Sequence, residues 1–456
     1  MRNQIFSVGD ILPGIFWLII LAIISHYIKF YRAKKEHEHQ YYLLNFYFKI
    51  FFVIAFSGVY AIMYNGGDTF AYYQGSEVLN NLFFDNPLNY LDEISKGKEI
   101  YYGNFNAQTG YPPGWIYREN ESYFVSKIIS ILMFISFRSY WAMSFILAFI
   151  MANVNYKLYV YVAELKFMPG KLAAFALLFI PSVSFWCTGI SKDTVVLIAI
   201  LMGIVAAFKL VHKKASIFGF EGLFLLLSFY LLLEIRSFLL LAMLIPLFFA
   251  VSTHWINQLG EKPVLKMSLR LFILLIGLGG VSVYIFNSSN FGDLAPEKIL
   301  QEAATIQRDF AQNSTYGSDR YQLNINDYSL FGMLKVAPEA IVAGIYRPFV
   351  WDSRNVALVI NILEGILLLI LTLQFFFKRE LKARIQFIRS NEILVFSFFF
   401  VLIMAFMTGF SSSLYGVLVR LRAPLLPFAF LLLLAGIYGY YKNDKNGIDL
   451  LNAESE

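Results

Sequence analysis

The chain has 456 residues, of which 58% are hydrophobic and 15% are charged, and its formal net charge is +6. A soluble domain carries about 25% charged residues, so this composition excludes an ordinary soluble protein. The apolar residues fall in blocks of about 14 to 24, close to the length that crosses a bilayer. Basic residues lie in short loops between the blocks, as membrane topology requires, so we exclude nucleic acid as a partner. The only cysteine, Cys187, allows no intramolecular disulfide, thiolate metal cluster or redox pair.

Hydropathy predicts an all-α polytopic membrane protein with about 11 transmembrane helices, in a range of about 10 to 13. The positive-inside rule places the basic loops in the cytoplasm, which puts the N-terminus outside and the C-terminus inside. Lys49, at the inner end of the second span, is expected to snorkel towards the membrane surface. No small-residue cleavage site follows the first apolar run, so we expect that span to be retained. The predicted spans are residues 11–30, 46–64, 140–163, 171–188, 194–211, 216–233, 238–251, 271–285, 356–377, 393–410 and 423–441.

Two long polar loops lie on the predicted outer side. Residues 65–121 are acidic and aromatic, with several prolines and glycines, which indicates a folded element rather than a flexible linker. Residues 287–352 form the second loop, and its last part is expected to lie at the membrane interface. Residues 122–137 are apolar but only about 16 residues long, so we expect a re-entrant or interfacial helix there. The chain is then one integral membrane domain, residues 1–456, that ends in a cytoplasmic tail at residues 442–456.

Ionisable residues near membrane depth gather on the predicted outer side. Each such charge costs about 2.5 to 3.5 kcal/mol on insertion scales, so a cluster of them on one face needs a reason. The members come from spans far apart in sequence, which predicts one polar cavity that opens outward. Asp68, with Tyr72 and Tyr73 beside it, is the candidate base of this cavity. The further members are Lys192, Asp193, Glu234, Arg236, Arg347, Asp352, Arg354, Arg420 and Arg422.

Two of these groups also have a structural explanation. Asp68 follows two glycines and suits the N-cap position of a helix that starts at Thr69. Capping and catalysis are compatible roles for one carboxylate. Glu234 and Arg236 are close enough to pair with each other or to snorkel.

The remaining cations are harder to explain by structure alone. Lys192 is expected at the start of a span, where the helix dipole disfavours a cation. Arg420 and Arg422 lie on the side that the positive-inside rule disfavours. On a helix their side chains diverge, so we expect one to reach a phosphate and the other to hold a carboxylate or headgroup. Arg347 and Arg354 suit a lipid-headgroup anchor as well as they suit catalysis.

Histidine is excluded from the predicted outer cavity. All five histidines fall in cytoplasmic loops or near the inner end of a span under this topology. The outer side therefore offers carboxylates for acid/base chemistry, and we expect no zinc or haem site there. The five are His26, His37, His39, His212 and His254.

Five short sequences in the chain resemble those of bacterial surface-polysaccharide polymerases of the O-antigen polymerase kind. They are also similar to the wider GT-C class of polyprenyl-phosphate-sugar glycosyltransferases. The sequences are Gly-Gly-Asp68-Thr-Phe-Ala-Tyr-Tyr, Pro181-Ser-Val-Ser-Phe-Trp-Cys-Thr-Gly-Ile-Ser-Lys192-Asp193, Glu234-Ile-Arg236, Tyr346-Arg347-Pro-Phe-Val-Trp351 and Arg420-Leu-Arg422-Ala-Pro.

This resemblance implies an enzyme of the cytoplasmic membrane that transfers sugar units from an undecaprenyl (pyro)phosphate donor on the outer face. Asp68 would deprotonate the acceptor hydroxyl. The departing phosphate would be neutralised by a set of cations. The expected partners are the polyprenyl-linked sugar, the lipid bilayer and other polysaccharide-assembly proteins. The phosphate-binding set is Lys192, Arg236, Arg347, Arg420 and Arg422.

The chain departs from these families in two ways. The Asp68 sequence lacks the second nearby acid of many GT-C enzymes, so it does not support a divalent metal, and we expect no cofactor. The predicted outer side also lacks the histidine of O-antigen ligases, which argues against a ligase.

Three alternatives remain. One is a single-sugar glycosyltransferase, which product length would separate from a polymerase. Another is a flippase or transporter, which would show charges through the membrane depth, inverted repeats and broken helices. The third is a scaffold without activity.

Overall fold

A computed structural model gives the fold of the chain. It describes residues 6–33, 40–64, 66–97, 100–212, 214–260, 262, 264–273, 275, 301, 304–309, 320–321, 323, 330–352, 355, 358–378 and 380–439. Within these ranges the regular structure is α-helical, with short 3₁₀ turns and an isolated β-bridge between Arg320 and Leu414. A helix satisfies its backbone groups internally, which a chain in lipid requires. The predicted all-α class is confirmed.

The chain divides into two compact units, and the single integral membrane domain stays a prediction. The first unit comprises Met1–Leu158 and Pro181–Ser237, and the second comprises Tyr159–Ile180 and Phe238–Glu456. The helices in chain order are α1 (Val8–Ala33), α2 (Tyr42–Ile62), α3 (Asp68–Asp85), α4 (Pro87–Ser95), α5 (Gly114–Arg118), α6 (Asn120–Met133), α7 (Tyr140–Glu164), α8 (Gly170–Leu178), α9 (Pro181–Trp186), α10 (Lys192–Val211), α11 (Phe220–Asn257), α12 (Leu330–Tyr346), α13 (Val359–Phe377), α14 (Leu381–Ser390), α15 (Glu392–Ser411), α16 (Tyr415–Leu421) and α17 (Leu426–Tyr438).

Eight helical stretches among the described residues are long and apolar enough to cross a membrane. They indicate a membrane protein, as the composition predicts. The count of about 11 spans stays a prediction. The candidate spans are Val8–Tyr31, Tyr42–Ile62, Tyr140–Glu164, Lys192–Val211, Phe220–Asn257, Val359–Phe377, Glu392–Ser411 and Tyr415–Tyr438.

Four predicted spans have a different form or lie outside the described residues. Residues 220–233 of the span 216–233 and all of 238–251 fall within α11, which is interrupted at Arg236, where φ is −156° and ψ is 88°. Residues 171–188 are not one helix, because α8 ends before α9 begins at Pro181. Proline has no N–H and disfavours the helical conformation in the residue before it, which separates the two helices. Most of residues 271–285 lies outside the described residues.

The two long loops are described to different extents. The first contains α3, α4 and α5 among its described residues. After it, α6 has 14 residues, fewer than a bilayer span needs. Of the second loop, α12 is described, but most of the residues before it are outside the described ranges. The tail, residues 442–456, is also outside them.

Polar side chains connect helices of the first unit. Ser76 Oγ of α3 donates a hydrogen bond to the Ser126 carbonyl of α6 (2.9 Å), so these helices lie close together. Lys49 of α2 does not snorkel. It is fully buried, and its Nζ donates to Ser184 Oγ of α9 at 2.6 Å. This hydroxyl, far along the chain, gives the ammonium group one hydrogen-bond partner inside the unit.

The second unit contains a close contact between α12 and α15. A Cβ added to Gly344 would lie 2.1 Å from the Ala405 carbonyl oxygen, and one added to Gly409 would lie 1.9 Å from that of Ala340. Glycine at both positions therefore lets the two backbones touch, as small residues do between membrane helices. This contact fixes the end of α12, where Arg347 follows.

Candidate functional site

The interruption in α11 places Arg236 against the start of α10. Arg236 Nη1 lies 3.0 Å from Oδ1 of Asp193, the second residue of α10. The Asp193 side chain is buried, and the Arg236 side chain is mostly so. A buried carboxylate requires such a partner, and removing either member would leave an uncompensated charge. The sequence suggests that Arg236 pairs with Glu234, but the structure pairs it with Asp193.

Lys192 begins α10 and contacts the loop of residues 65–121. Its Nζ lies 3.5 Å from Oε2 of Glu119 and 3.5 Å from Oε2 of Glu121. The lysine side chain is 14% exposed, while the glutamates are 57% and 48% exposed. Two carboxylates offset the unfavourable helix dipole at this position. Ser191 caps the helix by accepting a hydrogen bond from the Thr194 amide at 3.1 Å.

Glu93, a buried carboxylate that the sequence did not single out, makes hydrogen bonds that connect parts of the loop of residues 65–121 and the start of α6. Glu93 of α4 has a fully buried side chain. Its oxygens accept from Lys96 Nζ (2.9 Å), Asn104 Nδ2 (2.8 Å) and the Tyr123 hydroxyl (3.0 Å). The Tyr117 hydroxyl lies at 3.3 Å. These partners are 3 to 30 residues from Glu93, and the aromatic content of the loop was the only available signal.

Raised pKa values keep the tyrosines around Glu93 neutral. Burial raises the pKa of the Tyr123 hydroxyl, and the negative charge of Glu93 raises it further. The pKa of Tyr117 is raised by burial in the same way. Burial lowers the pKa of the Lys127 ammonium, while the carboxylates of Glu93 and Glu234 act in the opposite direction. The tyrosines therefore remain hydrogen-bond donors to Glu93 at neutral pH, and this network is a structural one.

Asp68 is the first residue of α3, one position before the predicted start. Gly67 occupies the cap position with φ of 100°, where a residue with a side chain would be strained. A carboxylate in the first turn is favoured by the helix dipole. Asp68 is half-buried, so it keeps access to solvent, which a general base needs.

The two tyrosines that follow Asp68 are buried within the first unit. Tyr72 and Tyr73 are each about 2% exposed. The Tyr73 hydroxyl donates to the Arg138 carbonyl (2.9 Å) and lies 3.2 Å from Glu77 Oε1. Burial raises the pKa of Tyr73, and the Glu77 charge adds to this effect. In this conformation both rings pack inside the unit.

In the second unit, Arg347 is fixed by aromatic side chains. Its guanidinium carbon lies 5.0 Å from the Tyr321 ring centroid, and Nη1 donates to the Tyr415 hydroxyl at 3.0 Å. The nearest Asp352 oxygen is 3.9 Å away. Asp352 instead accepts from the Phe349 amide (2.8 Å) and so fixes the turn after Arg347. The Arg347 side chain is 28% exposed.

Arg422 holds the backbone around Arg347. It is fully buried, and Nη1 donates to the carbonyls of Ile345 (3.3 Å) and Arg347 (2.5 Å). Its Nη2 donates to the Asn361 carbonyl at 2.8 Å. These contacts make Arg422 a positioning residue for Arg347. Arg420 is half-buried.

Apolar side chains lie beside Arg347. Trp351 is 80% exposed and stacks on Phe349, with ring centroids 5.1 Å apart. Val350 is also exposed. The predicted site residue Arg354 lies outside the described residues.

One histidine in the second unit has a carboxylate neighbour. His254 Nδ1 lies 2.7 Å from Glu392 Oε1, and Nε2 lies 2.8 Å from Gln258 Nε2. Both ring nitrogens have hydrogen-bonding partners, so a metal ion bound to His254 would have to displace one of these partners.

The predicted site residues are divided between the two units. The first unit holds Asp68, Tyr72, Tyr73, Lys192, Asp193, Glu234 and Arg236, and the second holds Arg347, Asp352, Arg420 and Arg422. The single cavity stays a prediction. Comparison with family models, curated proteins and solved structures found no match. The contacts of the residues described above are therefore the basis for assigning a function.

Proposed function

We propose that this protein transfers or polymerises sugar units from a polyprenyl-(pyro)phosphate-linked donor on the outer face of the cytoplasmic membrane. The observation that carries the proposal is the set of contacts that the Arg347 side chain makes. Its guanidinium is held by the Tyr321 ring and the Tyr415 hydroxyl. Of its five N–H donors, only one makes a hydrogen bond within the described residues. Its nearest Asp352 oxygen is at the limit of ion-pair distance, 3.9 Å. We infer that the donors without a hydrogen bond among the described residues bind an anion.

A phosphate is the anion that best suits this arrangement. A guanidinium binds phosphate through two parallel hydrogen bonds, and this arginine is already oriented by its ring contact and by Arg422. Exposed Trp351 and Val350 lie four and three residues further along the chain. In a membrane protein, such side chains suit contact with lipid or with a polyprenyl tail. A ligand with a charged headgroup on an apolar chain would suit both the Arg347 guanidinium and the exposed apolar side chains beside it.

The proposed reaction is a displacement at the anomeric carbon of the donor sugar. A carboxylate base accepts the proton of the acceptor hydroxyl as its oxygen bonds to that carbon. The bond from the anomeric carbon to the phosphate oxygen breaks, and the phosphate leaves with the electron pair. A cation neutralises the charge that develops on the leaving group. The sequence offers Asp68 for the first role, and the contacts of Arg347 favour that residue for the second. We assign Lys192 and Arg236 to holding α10, because carboxylates already pair with them.

A second candidate function is movement of the lipid-linked sugar across the membrane. Two interruptions support it, one between α8 and α9 and the other at Arg236 within α11. The fully buried Lys49 within α2 is a charge at membrane depth. Broken helices and buried charges are typical of transporters. The arrangement around Arg347 has no evident use in a transporter beyond headgroup binding.

The test uses the purified full-length protein in proteoliposomes with a synthetic polyprenyl-diphosphate oligosaccharide. We expect glycan products longer than the donor, measured by mass spectrometry, and a ladder of lengths if the protein is a polymerase. Asp68→Asn keeps the size of the side chain but removes its charge. Because general-base catalysis is worth about 100- to 10,000-fold, we expect the transfer rate to fall by that factor.

Two controls separate the outcomes. Asp85→Asn removes a carboxylate from the other end of α3 and should leave transfer unchanged. A melting temperature equal to that of the wild type shows that Asp68→Asn is folded. Movement of a fluorescent donor between leaflets, without any glycan product, would replace the transferase with the transporter.

A further inference from the structure

The second unit contains a basic cavity that is not part of the proposed donor site. Its volume is about 810 Å³, within the range of about 300 to 1,000 Å³ typical of ligand pockets. It lies between the end of α11, the helical segment 264–273 and α14. The lining residues that carry the argument are Asn257, Lys266, Arg270, Lys382, Ile385 and Arg389.

Four cations line this cavity, and none of its described lining residues is a carboxylate. Lys266 and Arg270 are four residues apart on segment 264–273, and Lys382 and Arg389 are seven apart on α14. Residues at these spacings share one face of a helix. Two helices thus present two cations each to the same space.

Within the part of the chain that the structure describes, none of the four cations of this cavity makes an ion pair. Burial lowers the pKa of the Arg270 guanidinium, and the positive charge of Arg389 lowers it further, so these two groups are close enough to repel. Lys192 in the first unit, by contrast, faces two glutamates. A bound anion would offset the repulsion among the four positive charges of this cavity.

The surroundings of the cavity favour an amphipathic anion. Met267, in its lining, is 64% exposed, and Leu271 and Phe272 on the same segment are also exposed. An acyl chain can lie along this apolar surface while its headgroup occupies the cavity. The Asn257 side chain donates to the Ser390 carbonyl at 2.8 Å and closes one wall. The positive-inside rule predicts that these loops face the cytoplasm, where the leaflet carries anionic lipid.

We propose that this cavity binds the headgroup of an anionic phospholipid, with its phosphate between Arg270 and Arg389. Lys266 and Lys382 supply the remaining positive charge. Basic pockets between helices on the cytoplasmic side are a general means of holding such headgroups.

The test measures binding of short-chain phosphatidylglycerol to the purified, delipidated full-length protein in a neutral detergent. The test variant is the double change Lys266→Gln and Lys382→Gln. At about 1 kcal/mol per lysine near a lipid headgroup, the affinity should fall about 30-fold. The matched control, Lys166→Gln with Lys171→Gln, removes two exposed lysines of the same unit and should leave the affinity unchanged.

Three results would overturn the proposal. Equal losses in the two double variants would mean that net charge alone drives binding. Equal affinity for phosphatidylcholine would exclude recognition of an anion. Inorganic phosphate that competes as well as the lipid would identify a soluble ligand instead. If the lysine double variant fails to fold, Arg389→Gln at an exposed position takes its place, with a loss of about 5-fold expected for one cation and Lys166→Gln alone as its control.

Discussion

The start of α10 and the end of α12 both carry cations, but they neutralise them differently. At the start of α10, Lys192 and Arg236 each face carboxylates. After α12, Arg347 is held by a tyrosine ring and a hydroxyl, and its nearest carboxylate is 3.9 Å away. Ring and hydroxyl contacts orient a guanidinium without cancelling its charge. The first arrangement therefore joins helices, and the second leaves a charge available for a ligand.

The partners of a cation distinguish a structural role from ligand binding better than its place in the sequence does. By sequence, Lys192, Arg236 and Arg347 all belonged to the candidate set for binding phosphate. Their partners differ, because an arginine paired to a buried carboxylate must lose that pair before it can bind an anion.

The largest effect is expected from Arg422→Met. The change keeps much of the volume but leaves the carbonyls of Ile345, Arg347 and Asn361 without their donors. Buried acceptors left unsatisfied cost about 1 to 3 kcal/mol each, so we expect a loss of about 3 to 5 kcal/mol in stability. Thermal unfolding of the purified protein measures it. A melting temperature close to that of the wild type would show that Arg422 does not hold this backbone.

The Asp193 and Arg236 pair should couple strongly in a double-mutant cycle. Asp193→Asn leaves a mostly buried guanidinium without its counterion, and we expect a loss of about 2 to 3 kcal/mol. With Arg236→Gln in the background, the same change should cost much less, because the charge to be balanced is gone. Denaturant unfolding of the four proteins gives the coupling.

The control for this cycle is the more exposed pair of Lys209 and Glu221, whose atoms lie 3.1 Å apart. Exposed pairs contribute about 0 to 1 kcal/mol. Equal coupling energies in the two pairs would contradict the view that burial makes the Asp193 contact structural.

The helices were predictable where hydropathy and length decide them. The predicted spans at residues 46–64 and 194–211 begin within four residues of α2 and α10. Residues 122–137 were too short to span, and α6 is indeed a short helix. The break before Pro181 had a visible signal, the proline itself, which the hydropathy of residues 171–188 obscured.

The partners of charged residues were not predictable. Lys49 finds Ser184 across 135 positions, and Glu93 finds Tyr123 across 30. No periodicity connects such residues, because only the packing of helices brings them together. The divergence of Arg420 and Arg422 was expected from helix geometry. That Arg422 would bind carbonyls rather than a carboxylate required knowledge of where α12 ends.

Arg347→Lys should reduce transfer without unfolding the protein. Lysine keeps the charge but loses the planar fork and the ring contact, so binding of the leaving phosphate weakens. Loss of a charge-assisted hydrogen bond corresponds to about 10- to 100-fold in rate. The readout is turnover of the polyprenyl-linked donor together with the melting temperature. Arg118→Lys, at an exposed position of α5, is the control and should match the wild type in both.

The smallest effect is expected from Lys192→Gln. Its two glutamate partners are about half exposed, and both lie 3.5 Å away, so water screens the pair and it contributes about 0 to 1 kcal/mol. Removing the cation also relieves its unfavourable position at the start of α10, which offsets part of the loss. We expect a change of at most a few degrees in melting temperature and near wild-type transfer. A large fall in transfer with an unchanged melting temperature would show that Lys192 leaves its glutamates to bind the donor phosphate. The distinction between paired and available cations would then fail at this residue.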